Sequence, residues 1–162
     1  MKRAASLAVR WLALLGVCCL AGCSLFSSAP KPVKPGWDSL TLVASRDAND
    51  NTALAVDVVF VKDKAVAEGL LKMPANAWFA ARDGLQRTFP EGLAVVSLEI
   101  IPDQTLRVPR QRYQDEKAWL ALAFANYAAP GEHRQQLVLD HGAYVLQLGA
   151  QELLVTGAGP AR

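Results

Sequence analysis

Residues 53–61 place Leu54, Val56, Val58 and Phe60 in alternation with Ala55, Asp57, Val59 and Val61. A repeat of two is the pattern of a strand with distinct faces, so this stretch commits the chain to a sheet. Residues 37–45 read as a strand before it, with Trp37, Ser39, Thr41 and Val43 on one side and Leu40 and Leu42 on the other. Between the two lies Arg46-Asp-Ala-Asn-Asp-Asn-Thr52, a cluster of Asp and Asn that signals a turn, and the pair reads as a hairpin-like start. Further strands are expected at 93–101, 135–140, 143–148 and 152–156, with turn residues between them. Residues 117–128 are apolar on both faces and fit either a central strand or an Ala-rich helix; Ala129-Pro-Gly131 and the short strands beyond favour the strand. Residues 104–112 read as a connection, with room for a short edge strand at 105–108. Seven strands at such spacing predict a mainly β protein, a β-sandwich. The exception is 63–90, where Val66, Leu70 and Leu71 recur at helical spacing and Asn76 is placed to cap a second piece; two short helices around Met73-Pro74 are expected as an insertion.

What precedes the strands bears on location. Lys2, Arg3 and Arg10 are followed by an apolar run from Trp11 to Leu20, the layout of a secretory leader and too short for a permanent membrane span. Leu20-Ala-Gly-Cys23 resembles the lipobox of bacterial lipoproteins. That resemblance implies cleavage before Cys23 and acylation of its thiol and of the new amino terminus; two or more acyl chains hold a protein stably on a membrane. Ser24, rather than Asp, follows the cysteine; in lipoproteins of this type that favours the outer membrane, facing the periplasm. Ser24 to Gly36 carries Pro30, Pro32 and Pro35 and reads as an extended tether, so the organisation expected is leader 1–22, lipidated Cys23 and tether 23–36, and one domain 37–162.

The leader holds three of the 17 basic residues and none of the 15 acidic ones, leaving 14 against 15, a formal −1 for the mature chain. A mixed, near-neutral surface has no footprint for nucleic acid. Cys18 and Cys19 leave with the leader. The mature chain then has Cys23 alone, which excludes an internal disulfide, a thiolate zinc site and a cysteine nucleophile. His133 and His141 lack metal-ligand spacing, Ser39, Ser45 and Ser97 are the domain's serines, and no nucleotide or hydrolase motif is present. We therefore expect no enzyme, no cofactor beyond the covalent lipid on Cys23, no metal and no small-molecule substrate. An enzyme would need His133 or His141 in a cleft beside an acid or a serine. Trp78-Phe79 reads mainly as packing, whereas a polar loop on a rigid scaffold is where binding residues concentrate.

Taken together, the lipobox, the tether, the strand at 53–61 ending in an aromatic, the insert at 75–90 with Trp78-Phe79, and the run from Trp119 to Tyr127 are similar to the TssJ-type outer-membrane lipoproteins of type VI secretion systems. The resemblance covers nearly the whole mature chain. It implies a transthyretin-like β-sandwich with a helical insertion, and a loop between the first two strands that contacts the periplasmic part of the inner-membrane protein TssM. By that resemblance Arg46, Asp47, Asn49, Asp50 and Asn51 become the partner-binding residues. Asp57 and Lys62 stand where the family's strand tends to have Arg and Gln, and Lys72, Arg82 and Arg87 make the insert mixed in charge. The runner-up is an envelope lipoprotein that assists outer-membrane protein assembly by strand addition at a sheet edge.

Overall fold

The computed structural model describes residues 31–140 and 142–157; the leader, Cys23, most of the tether and His141 lie outside them. Eight strands form two four-stranded sheets: β1 (Trp37–Ala44), β2 (Leu54–Val61), β3 (Leu93–Ile100), β4 (Thr105–Val108), β5 (Leu120–Ala125), β6 (Arg134–Leu137), β7 (Gly142–Leu148) and β8 (Leu153–Gly157). One sheet has the order β4-β1-β7-β8, the other β3-β2-β5-β6. Neighbours pair antiparallel except β1 with β7, which run parallel. The expected sandwich is present, and residues 105–108 supply its eighth strand, paired with β1.

β1 and β2 do not form a hairpin. They lie in different sheets, so residues 46–52 carry the chain across one end of the sandwich. The inner face of β2, with Leu54, Val56, Val58 and Phe60, meets Leu40, Leu42, Leu146 and Leu148 of the opposite sheet in the main core. Trp37 belongs to the same core and is fully buried, although simple alternation puts it on the face opposite Leu40. The register against β7 shifts between Trp37 and Ser39, a bulge that adds one residue and turns the indole inward. There it meets Phe60, Tyr113 and Tyr144 at ring separations of 5.4 to 5.5 Å, and its Nε1 donates to Val138 O at 2.7 Å.

Two helices, α1 (Lys64–Leu71) and α2 (Ala75–Thr88), cover the outer face of the second sheet. Val59, Val61, Leu122 and Phe124 on that face pack with Ala67, Leu70 and Trp78 as a second core. This layer explains why β5 is apolar on both sides, as a strand between two cores must be. Asp63 caps α1, accepting from Ala65 N at 2.8 Å. α2 starts after Pro74, whose fixed φ suits a helix start; Asn76 sits within the first turn and accepts from its own neighbour, Ala77 N, rather than capping. The N–H of Ala75 is satisfied instead by the carbonyl of Glu132, and Arg134 donates to Met73 O, so the β5–β6 loop holds the helix start in place.

The chain is already attached before Trp37. Val33 and Ala118 exchange backbone hydrogen bonds at 2.9 and 3.0 Å, Pro35 is buried, and Gly36 N donates to Leu139 O. The folded body therefore begins near Val33.

Candidate functional site

Residues 46–52 form a tight turn built by their own side chains. Ser45 Oγ donates to Asp47 Oδ1 at 2.6 Å, which holds the exposed Asp47 carboxyl below its ordinary range. Asn49, Asp50 and Asn51 all have left-handed backbone, at φ of 47°, 52° and 64°. Asn and Asp tolerate that conformation best after glycine, because their short polar side chains bond locally. A β-branched or bulky residue at these positions would be strained, which accounts for the Asn-Asp-Asn run.

The five residues singled out from sequence do not all face solvent. Asn49 turns inward and is only 5% exposed. Its Nδ2 donates to Thr52 Oγ1 and Ala53 O at 2.7 and 3.0 Å, and its Oδ1 accepts from Ala128 N at 2.9 Å. The backbone N–H of Asn49 reaches Gly149 O, and Asp103 N donates to Ser45 O, so the turn rests on three other connections at this pole. Asn49 is thus the fastener that holds the turn rigid. Arg46, Asp47, Asp50 and Asn51 are left exposed, one cation and two carboxylates around an amide.

Beside this turn the structure adds features that the sequence reading missed. The first sheet has an outer face without a helical layer, and there Val43, Gln147 and Leu154 line a shallow groove of about 210 Å³ that runs to Ser45. Leu154 is 46% exposed. The signal was present in β8, where Leu154 alternates with the buried Leu153. At the same pole Tyr127 Oη donates to Glu152 O at 2.5 Å, and burial pushes this phenol far above its ordinary pKa.

His133 sits against the ring of Tyr127, 4.6 Å between centroids, with Nε2 2.9 Å from Ala129 O. Those contacts are a loop's packing. Among the described residues no group of three or more His, Cys, Asp or Glu side chains is placed to hold a metal, and no helix is long and apolar enough to cross a membrane. Among the described residues the most buried carboxylate is Asp57, 1% exposed on the helix-facing side of β2. Its Oδ2 accepts from Trp78 Nε1 at 2.9 Å and from Arg82 at 3.0 Å. Asp57, Trp78 and Arg82 thus serve the joint between sheet and helices, where Trp78 also stacks on Phe124, while Lys62 at the end of β2 pairs with Glu116 in the connection before β5.

Two four-stranded sheets with a helical layer on one of them make this a TssJ-like β-sandwich, the fold of lipoproteins found in type VI secretion systems. The chain is similar to the type VI lipoprotein TssJ1 from Pseudomonas aeruginosa, with a TM-score of 0.59 and 20% identity over 76% of this chain and 96% of that one. It is also similar to Serratia marcescens Lip, a membrane-bound component of the type VI secretion system, with a TM-score of 0.55 and 14% identity over 76% and 98%. A third likeness is to a structure of the C-terminal domain of the type VI protein TssM from EAEC, with a TM-score of 0.54 and 13% identity over 82% of this chain and 100% of that one. No protein-family model matches the chain, and no curated protein matches it.

Proposed function

We propose that this protein is a lipid-anchored structural component of a type VI secretion membrane complex, held at the outer membrane by acylated Cys23 and docked to a TssM-like inner-membrane protein. The observation that carries the reading is the joint occurrence of a lipobox leader and a sandwich-plus-helices body of the kind seen in TssJ1 and Lip. The rigid turn at 46–52 supports the docking assignment. Its left-handed residues are held by a buried asparagine, and its charged and amide groups are left free of the packing. A surface fixed in advance loses little conformational entropy when a partner binds.

Strand addition, the mechanism of the runner-up, is poorly served by this molecule. The edges β4 and β6 are four residues each and β8 is five. The longer edge β3 is blocked midway by Arg112, which donates to Ser97 O at 3.0 Å. Short or side-chain-capped edges are how proteins refuse an added strand.

The test is a crosslinking pull-down of the lipidated protein from its native envelope, comparing wild type with the combined variant Arg46→Ala, Asp50→Gly, Asn51→Gly, whose glycines keep the left-handed backbone. Asn49 stays in place, so the turn keeps its fastener. Recovery of a large inner-membrane secretion protein, lost in the variant, is the expected result; equal recovery from both would remove the turn from the interface. Recovery of outer-membrane assembly proteins alone would instead support the runner-up.

A further inference from the structure

β1 runs from Trp37 at one end of the sandwich to Ala44 at the other, and the turn at 46–52 lies at the second end. At about 3.3 Å per residue its eight residues put roughly 25 Å between the two poles. The pole opposite the turn gathers the segment arriving at Val33, the ends of β2 and β6, and the starts of α1 and β5. Val33 and Val138 are 51% and 57% exposed there, on either side of a groove of about 350 Å³ that they line with Trp119. Lys64 holds its ammonium 5.5 Å from the Trp119 ring centre, and the exposed Lys117 lies two residues before it.

Among the described residues neither lysine is held in an ion pair. Asp115 is paired with Lys34 and Glu116 with Lys62. Asp63 is engaged in capping α1, and Asp140 accepts from the Tyr144 hydroxyl. An exposed apolar patch with a partly buried tryptophan and flanking lysines is the combination that rests at a bilayer's headgroup level.

Chain length supplies the occupant. Val33 lies ten residues on from Cys23 and is pinned to Ala118. Ten fully extended residues reach at most about 35 Å, so an acylated Cys23 confines this pole to within that distance of the lipid. We infer that the face formed by Val33, Trp119 and Val138, with Lys64 and Lys117, lies on the surface of the phospholipid bilayer as a second, non-covalent contact that orients the turn away from the membrane. The inference rests on the lipid-anchor reading of Cys23.

Trp119 provides its own probe. Removal of the leader takes Trp11, and Trp37 and Trp78 are fully buried, so Trp119 is the one tryptophan of the mature chain within reach of lipid. The full lipidated protein is reconstituted into vesicles of phosphatidylethanolamine and phosphatidylglycerol, with and without bromine on the acyl carbons nearest the headgroup. The expected result is quenching of tryptophan emission by the brominated lipid. Quenching is lost in Trp119→Phe and weakened in the pair Lys64→Glu, Lys117→Glu, while flotation with the vesicles persists in both. Flotation without quenching in the wild type would overturn the face and leave the anchor standing. Absence of flotation, with the same mobility for Cys23→Ser, would overturn the anchor and the inference with it.

Discussion

Asn49 shows how a residue within a polar loop can belong to the architecture. Its three side-chain hydrogen bonds reach Thr52, Ala53 and Ala128, the last 79 positions away. Leaving a buried backbone group unpaired costs about 1–3 kcal/mol, whereas exposed substitutions away from such features stay within about 0.5 kcal/mol. Asn49→Ala is therefore expected to lower stability by about 2 kcal/mol in urea denaturation, while Arg46→Ala, at an exposed residue outside the left-handed run, leaves the midpoint nearly unchanged. Equal effects from the two would deny Asn49 its fastening role. Composition alone marks 46–52 as a turn. It does not separate Asn49 from Asn51, because the difference lies in a contact with Ala128 that no local pattern encodes.

Among the elements, β2 and β5 are the central strands of the helix-covered sheet, with a core on each side, and this double burial decided how much of the fold was legible. Alternation in β2 was readable because its inner face is uniformly large and apolar. β5 was ambiguous between strand and helix because Ala121, Ala123 and Ala125 face one core while Leu122 and Phe124 face the other. The bulge at Asp38, the parallel pairing of β1 with β7 and the crossing of 46–52 between sheets were not readable, since each depends on partners distant in sequence. Asp57 is the joint between the layers. Removing its carboxylate strands the buried indole N–H of Trp78, so Asp57→Ala is expected to cost about 1–3 kcal/mol. Arg82 lies at the partly exposed rim, and its share is reduced by solvent. The check is chemical denaturation of Asp57→Ala beside Arg82→Ala, with the larger loss in the former; the reverse order would move the joint to the rim.

For the whole molecule, the two poles divide the work. The proposed lipid-facing end carries the arriving chain, Trp119 and its lysines, and the other carries a turn made rigid by Asn49. Between them lie two sheets joined by one core. The mainly β class and the helical insertion were legible from sequence; the opposition of the poles required the strand directions. The most direct measurement is site-specific photocrosslinking in the native envelope from a photoreactive residue at Arg46, exposed and outside the left-handed run. The account predicts an adduct with a TssM-like inner-membrane protein from that position, and none from Gln136 on the β6 edge. An adduct from Gln136 alone, carrying an outer-membrane protein, would contradict it.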